Sequence, residues 1–187
     1  MYNLTKIQQP EFDAEFYIAY ATNDNFTGKA LYKQPICLLH EDAAAKLKQA
    51  ILYAKELGLR FKIFDAYRPL EIQQKLWDDY PNPHFISNPE TGSVPHCRGV
   101  AIDLTIIDNL GQELDMGTKF DEFTPLSHHG NIEISKEAQR NRHLLMGIMT
   151  TAGWDFYRNE WWHYQLFKPR EYKIIKDVEA KTGLCYE

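Results

Sequence analysis

The feature of this sequence that most restricts its fold is a carboxylate inside an apolar run. Asp103 is preceded by Val100-Ala101-Ile102 and followed by Leu104, and the β-branched residues that continue to Ile107 predict a strand. A buried carboxylate without a partner is costly, so a cation or several hydrogen-bond donors are expected beside it. His96 lies on the loop that enters this strand, so its imidazole and the Asp103 carboxylate can face one ion.

A second polar group in apolar surroundings occurs much later in the chain. Glu160 and His163 belong to the aromatic run Glu160-Trp161-Trp162-His163. Together with His96 and Asp103 they supply two imidazoles and two carboxylates, the side chains that a catalytic zinc site requires. Such a zinc ion takes three protein ligands and leaves its fourth position to water, whose pKa falls to about 7 on binding. The remaining carboxylate is then free to accept a proton.

Each of these residues also has an ordinary structural explanation. A buried histidine bonded to the backbone, an aspartate that caps a turn and a glutamate in a hairpin are all common. The joint pattern favours metal binding, because the apolar strand and the aromatic run both contain polar groups that need a partner. The sequence has no His-Glu-x-x-His helix, so a metal would be bound by strands and loops.

The length and composition are those of one globular domain. The 187 residues include 44% hydrophobic and 25% charged residues, and a chain of this size can bury most of its apolar surface. Asp and Glu (26) outnumber Lys and Arg (21), which gives a formal charge of -5, so a nucleic-acid partner is not expected. No run of about 18 apolar residues occurs, so no membrane span is expected either.

Cysteine usage and the first residues bear on the compartment. The sequence has three cysteines, Cys37, Cys97 and Cys185. They are widely separated, which is more typical of reduced thiols than of a disulfide framework. Met1 to Phe12 contains one Lys and no unbroken apolar core, so it does not resemble a secretory signal. A cytoplasmic location is therefore predicted, and a periplasmic one stays open if a leader has been removed.

Hydrophobic spacing and capping residues predict an α+β fold, a single compact domain over residues 1–187 with a central antiparallel sheet flanked by helices. The predicted helices run from His40-Glu41-Asp42 to about Gly58, from Leu70 to Tyr80 after Pro69, and from the N-cap Ser135 to just before Gly153. The predicted strands are Arg60 to Ala66, Val100 to Ile107, and a hairpin of Trp154 to Tyr157 with Trp161 to Phe167. One more helix is expected between Pro169 and Gly183, and the irregular region from Pro81 to Pro95 is a candidate cover for a cleft.

Six short segments distributed along the chain carry a family resemblance. They are Tyr20-Ala21-Thr22-Asn23-Asp24-Asn25-Phe26-Thr27-Gly28, Asp65-Ala66-Tyr67-Arg68-Pro69, His96-Cys97-Arg98-Gly99-Val100-Ala101-Ile102-Asp103-Leu104-Thr105, Met116-Gly117-Thr118-Lys119-Phe120-Asp121, Ser127-His128-His129 and Glu160-Trp161-Trp162-His163-Tyr164. In this order they resemble the signatures of the D-alanyl-D-alanine dipeptidases of the vancomycin-resistance type, which belong to a wider group with the D-Ala-D-Ala carboxypeptidases. The resemblance extends from about Tyr20 to about Phe167, and the aligned set is far more specific than any one fragment.

The resemblance implies a role for each polar residue of the site. His96, Asp103 and His163 are expected to bind one zinc ion per chain, Glu160 to act as the catalytic acid/base, and Arg68 to stabilise the developing oxyanion. The chemistry of the side chains agrees, because an arginine does not readily lose its charge and a carboxylate can take a proton from water.

The same resemblance implies two substrate contacts, of which one departs from the family pattern. Tyr20 matches a tyrosine near the substrate. The family also has a serine two residues before the first zinc histidine, whereas this chain has Val94 there and Ser93 one residue earlier. Ser93 either supplies that contact from a shifted position or the contact is absent. Asp65 has two open interpretations, one as a residue that orients Arg68 and one as a turn cap.

Three further side chains near these segments are not expected to bind the metal. His128 and His129 are adjacent, and neighbouring side chains on an extended segment point to opposite faces, so a structural or supporting role is predicted. Cys97 adjoins His96, which already points at the expected metal position. A thiolate is a good zinc ligand, but the direction of Cys97 is unfavourable.

The sequence thus predicts zinc-dependent hydrolysis of D-Ala-D-Ala or a similar short dipeptide, with a small peptide as the expected substrate partner. One alternative is a D,D-carboxypeptidase that acts on longer peptidoglycan stem peptides. A second alternative is a binding module that zinc stabilises without catalysis, and Glu160 and Arg68 argue against it because a closed structural site has no use for a base. The sequence leaves the oligomeric state undetermined.

Overall fold

A computed structural model describes residues 3–186 of the chain. Its strands are β1 (Leu4–Lys6), β2 (Ala14–Phe16), β3 (Leu38–His40), β4 (Arg60–Asp65), β5 (Ala101–Ile107), β6 (Asp155–Phe156) and β7 (His163–Gln165). Its α-helices are α1 (Glu41–Glu56), α2 (Leu70–Asp79), α3 (Lys136–Thr151) and α4 (Asp177–Ala180). Single 3-10 turns lie at Ala19–Ala21, His96–Arg98, Pro125–Ser127 and Pro169–Glu171.

The predicted α+β class is confirmed, and the central sheet is antiparallel except at one edge. Its five strands have the order β2-β4-β5-β7-β6, and a separate two-stranded sheet joins β1 to β3. The pairs β4–β5, β5–β7 and β6–β7 are antiparallel, whereas β2 and β4 are parallel. A parallel pair needs a long crossover, which here contains β3 and α1. The sequence did not predict β2, because three residues are too few for a periodic pattern.

The helices begin where their capping residues predict. The ring nitrogen Nδ1 of His40 accepts a hydrogen bond from the Asp42 N–H at the start of α1, and Glu41 and Asp42 lie in its first turn. Ser135 caps α3 by accepting from the Ala138 N–H, as predicted. Both helices bury an apolar face, and α1 packs against β4 and α3.

The register of three neighbouring strands sets the position of the polar residues. Asp103 on β5 is opposite Asp65 on β4 and opposite His163 on β7. All seven residues of β5 are buried, so this strand crosses the middle of the core. Three segments that are far apart in sequence therefore meet at one level of the sheet.

The turn that leads into β5 depends on a glycine. Gly99 has φ of +68° and follows the 3-10 turn His96–Arg98. Its carbonyl accepts from the His40 N–H at 2.7 Å, and a Cβ added to Gly99 would lie 3.0 Å from that same nitrogen. A side chain at this position would therefore collide with the backbone that starts α1.

Among the residues described, no helix is both long enough and apolar enough to cross a membrane.

Candidate metal centre

Two imidazole nitrogens and one carboxylate converge in the interior. His96 Nε2 lies 3.1 Å from His163 Nδ1. Asp103 Oδ1 lies 3.0 Å from His163 Nδ1, and Asp103 Oδ2 lies 3.4 Å from His96 Nε2. All three residues are buried: His96 is 6% exposed, His163 is 7% exposed and Asp103 is 2% exposed. The structure thus brings together the three side chains predicted as metal ligands.

The outer nitrogen of each imidazole has its own partner. His96 Nδ1 lies 2.6 Å from the Ala66 carbonyl oxygen, and His163 Nε2 lies 3.2 Å from Gln165 Oε1. Both partners are acceptors, so the outer nitrogens can hold the ring protons, which would leave the inward nitrogens with lone pairs for a metal ion. Sequence reasoning missed Gln165, although its position two residues after His163 on one strand places both side chains on the same face.

The donor set fits a small divalent cation. Two inward lone pairs and a carboxylate repel one another at these distances unless a positive charge lies between them. Ligand atoms around a tetrahedral ion with bonds of about 2.0–2.1 Å are separated by about 3.3 Å, which is close to the observed separations.

Glu160 lies at the edge of this group. Its Oε2 is 3.8 Å from His163 Nδ1, farther than any of the three converging donors. It occupies the connection between β6 and β7 and is 6% exposed. Burial raises the pKa of its carboxyl well above the usual range, the charges of Asp103 and Asp121 add to this, and Arg68 opposes it. Glu160 therefore lies beside the three converging side chains without being one of them.

Arg68 is held in place by two side chains, and its Nη2 lies 3.7 Å from Asp103 Oδ2. Asp65 Oδ2 accepts from its Nε at 3.0 Å and forms an ion pair with its Nη2 at 2.8 Å. Gln73 Oε1 accepts from its Nη1 at 2.9 Å. Asp65 is itself fixed by a hydrogen bond of 2.8 Å from the Tyr32 hydroxyl. These contacts support the first interpretation of Asp65, as the residue that orients Arg68.

The polar group opens into a cavity of about 200 Å³. The segment 81–95, predicted to be irregular and to lie over a cleft, contributes part of the lining, and the hairpin contributes another part. The lining residues are Tyr20, Arg68, Gln73, Leu76, Pro83, Phe85, Ile86, Ser87, Ser93, Val94, Pro95, His96, Asp103, Asp121, Phe123, Tyr157, Glu160, Trp162, His163 and Gln165.

Asp121 is a charged residue of the cavity to which the sequence assigned no role. It is 8% exposed, and its Oδ2 accepts from the Tyr20 hydroxyl at 2.9 Å. Burial raises the pKa of its carboxyl, and the charge of Asp103 raises it further. Across residues 3–186 it forms no ion pair. Its φ of +59° is uncommon outside glycine and shows that its loop is tightly constrained. In the sequence, only its position at the end of the segment Met116-Gly117-Thr118-Lys119-Phe120-Asp121 indicated a role.

Tyr20 and Ser93 both line the cavity, as the resemblance implied for substrate contacts. Tyr20 is fully buried, and the Arg68 guanidinium lies 4.9 Å from its ring centroid. Val94, at the family's serine position, is buried with φ of +40°, and its N–H donates to Ser87 Oγ at 3.2 Å. Ser87 and Ser93 therefore supply hydroxyl groups to the part of the cavity wall that contains Val94. The role of Ser93 as a substrate contact stays a prediction.

Cys97 and His129 lie outside the converging group. Burial raises the pKa of the Cys97 thiol to about 12, so it is protonated at neutral pH. Burial and then the nearby Arg142 lower the pKa of His129 to about 4, and its ring packs edge-on against Phe156. Both side chains have the surroundings of packing residues.

An α+β fold in which two imidazoles and a carboxylate converge at an open cavity, beside a second carboxyl and a fixed arginine, is typical of a metal-dependent hydrolase. The comparisons with known proteins agree. The family model described as D-ala-D-ala dipeptidase matches residues 2–178. The chain therefore belongs to the D-ala-D-ala dipeptidase family, and it is a peptidase.

Individual relatives give the same result. The D-alanyl-D-alanine dipeptidase of Escherichia coli is 44% identical over 165 residues, which cover 88% of this chain and 85% of that protein. The D-alanyl-D-alanine dipeptidase of Enterococcus faecalis is 32% identical over 79% of this chain and 83% of its own length. The LdcB LD-carboxypeptidase superposes with a TM-score of 0.52 at 17% identity, over 97% of this chain and 72% of that one, and shares the fold.

Proposed function

We propose that this peptidase hydrolyses the peptide bond of D-Ala-D-Ala, or of a similar short dipeptide, with one zinc ion per chain. The observation that carries the proposal is the convergence of His96, Asp103 and His163 at the cavity, with Glu160 and Arg68 on its margins. The named activity of the relatives supports the substrate class.

Zinc suits the donor set. Two imidazoles and one carboxylate are a ligand set of catalytic zinc sites, which leave one position open. When bound to His96, Asp103 and His163, zinc would lower the pKa of a coordinated water towards 7 and polarise the scissile carbonyl.

Glu160 is the proposed acid/base. Its carboxylate takes a proton from the attacking water and later delivers it to the leaving amine. The buried position supports this role, because a raised carboxyl pKa makes the carboxylate a stronger base than an exposed one. Its distance from the ligand atoms leaves it free to exchange protons.

Arg68 is the proposed oxyanion stabiliser. Asp65 and Gln73 hold its guanidinium in place, so the positive charge is oriented before the reaction begins. A preorganised donor of this kind acts on the charge that develops on the carbonyl oxygen and needs no rearrangement. An arginine keeps its charge at any working pH.

A carboxyl group of the cavity that lacks an ionic partner supports a substrate with a free amine. Asp121 lines the cavity and forms no ion pair within residues 3–186, whereas Asp65 is paired with Arg68. The ammonium group of a free dipeptide would pair with Asp121 and would favour its charged form, against the burial that raises the pKa of this carboxyl. A longer stem peptide has no ammonium group at that position, so this contact favours a dipeptidase over a carboxypeptidase that acts on longer stems.

Substrates of different length test the proposal. The zinc-loaded protein is incubated with D-Ala-D-Ala, with N-acetyl-D-Ala-D-Ala and with a peptidoglycan stem pentapeptide, and the products are analysed by mass spectrometry. Release of alanine from the free dipeptide alone is expected. Faster removal of the terminal D-Ala from the pentapeptide would instead establish the carboxypeptidase. L,L- and L,D-dipeptides in the same assay measure the stereochemical preference.

The variant Asp121→Asn tests the proposed amine contact. The amide has nearly the same shape as the carboxylate but no charge, so kcat/KM for D-Ala-D-Ala is expected to fall at least about thirtyfold, equivalent to about 2 kcal/mol. Steady-state kinetics and metal analysis of the same preparation check this. Bound zinc should be unchanged, and an undiminished kcat/KM would exclude Asp121 from substrate binding.

A further inference from the structure

We propose that Thr118, Ser127 and Trp161 form a hydrogen-bonded clamp that positions Glu160 for proton transfer. These three residues are called the clamp below. The inference rests on the proposed function of Glu160 and goes beyond it, because it assigns a task to residues that do not touch the cavity.

The clamp holds the residue that directly follows Glu160 at two points. The indole N–H of Trp161 donates to Thr118 Oγ1 at 2.8 Å, and the backbone N–H of Trp161 donates to the Ser127 carbonyl at 3.1 Å. The hydroxyls of Thr118 and Ser127 are 3.0 Å apart. Trp161 is buried, so both of its donors would lose a partner if the clamp opened.

The hydroxyl protons of the clamp form a one-way chain. Ser127 has a single hydroxyl proton, which it donates to the Glu122 carbonyl, so its oxygen accepts from Thr118. Thr118 in turn accepts from the Trp161 indole. Each hydroxyl is therefore both donor and acceptor, an arrangement in which the bonds strengthen one another.

Glu160 needs such support because it lies between strands. Within the described part of the chain, its carboxylate accepts no hydrogen bond from another side chain. Its backbone is fixed by its N–H to the Tyr157 carbonyl at 3.2 Å and by a longer bond of 3.4 Å from the His163 N–H. The ladder of β6 and β7 does not extend over it. The clamp thus adds a further attachment close to its Cα, on the residue that directly follows.

The other side of the clamp is anchored in α3. Arg142, buried on that helix, donates to the carbonyls of Leu126 and His128 at 2.9 and 3.0 Å, on either side of Ser127. Its guanidinium also lies 6.0 Å from the Trp161 ring centroid. Ser127 is fully buried, so the clamp connects the Glu160 turn to a rigid helix.

The decisive variant is Thr118→Val, which keeps the side-chain shape and removes the acceptor for the indole. We expect kcat for D-Ala-D-Ala to fall about ten- to a hundredfold, because small displacements of a reacting group cost this much. KM and zinc content should remain at wild-type values, since the clamp contacts neither substrate nor metal. Thr118→Ser retains the hydroxyl and should restore most of kcat. Thr105→Val is the matched control, because Thr105 is fully buried on β5 and its hydroxyl has no partner within residues 3–186.

Trp161→Phe removes the donor of the same hydrogen bond and gives an independent test. If the bond positions Glu160, the losses in kcat from Thr118→Val and Trp161→Phe will not add in the double variant. Should Thr118→Val fail to fold, Trp161→Phe and Thr118→Ser still test the bond. The clamp would be refuted if both single variants kept wild-type kcat. It would also be refuted if the loss of activity were explained by lost zinc or by a raised KM. Absence of dipeptide hydrolysis by the wild-type protein would overturn the proposed function, and the clamp with it.

Discussion

Replacement of Glu160 by alanine is expected to abolish most of the hydrolysis while the protein keeps its metal. General acid–base groups contribute about a hundredfold to ten-thousandfold, so kcat should fall by a factor in this range. The zinc content should stay near one ion per chain, because Glu160 Oε2 lies 3.8 Å from His163 Nδ1 and outside the three converging donors. Turnover measured alongside metal analysis of the same sample checks both parts.

Two controls separate proton transfer from other effects. Glu160→Gln keeps the size of the side chain and should lose as much turnover as Glu160→Ala, because an amide is not a base. Glu171→Ala removes an exposed carboxylate that does not line the cavity and should leave kcat unchanged. A Glu160→Ala variant with near-normal turnover would contradict the assigned role, and one without zinc would make Glu160 a ligand.

The helices and the central strand are predictable because their signals are local. Ser135 predicts the start of α3 through a cap that needs only the next three residues, and the structure forms that bond. The apolar run around Asp103 predicts β5, which is buried throughout. In both cases the signal that predicts the element lies in residues next to one another in sequence.

The pairing of the strands is less predictable, because register depends on distant residues. Alternation shows which face of β5 carries Asp103, but it does not show that Asp65 and His163 lie opposite it. The convergence of these residues could be inferred from the cost of burying their charges and from the family resemblance. Periodicity alone would leave their partners open.

The margins of the cavity were the least accessible to sequence reasoning. Asp121 and Val94 both have positive φ, a backbone conformation that is uncommon even for aspartate and rare for valine, so the sequence does not predict it. Their placement follows from the packing of the loops at residues 81–95 and 117–127 around the central sheet. The hydroxyls of Thr118 and Ser127 likewise gain a role only when the indole of Trp161 reaches them.

Replacement of His163 by alanine is expected to remove the metal and the activity together. The change deletes one of the three converging side chains. It also removes the hydrogen-bond partner of Gln165, whose Oε1 lies 3.2 Å from His163 Nε2. Changing a supporting residue commonly costs ten- to a hundredfold in metal affinity, so loss of the ligand itself should cost more than about a hundredfold. Zinc content after dialysis, measured by atomic emission, should fall towards zero, and hydrolysis should fall with it.

His143→Ala is the matched control, because His143 is exposed on α3 and does not line the cavity, so its loss should leave both zinc and activity unchanged. Addition of excess zinc to His163→Ala distinguishes weak binding from a lost role. Partial recovery of hydrolysis at high zinc is expected, because His96 and Asp103 still face the same position and Asp103 remains buried and in need of a cation. Full zinc occupancy in the dialysed His163→Ala protein would show that other residues bind the ion, and the convergence of the two imidazoles and the carboxylate would then need a different explanation.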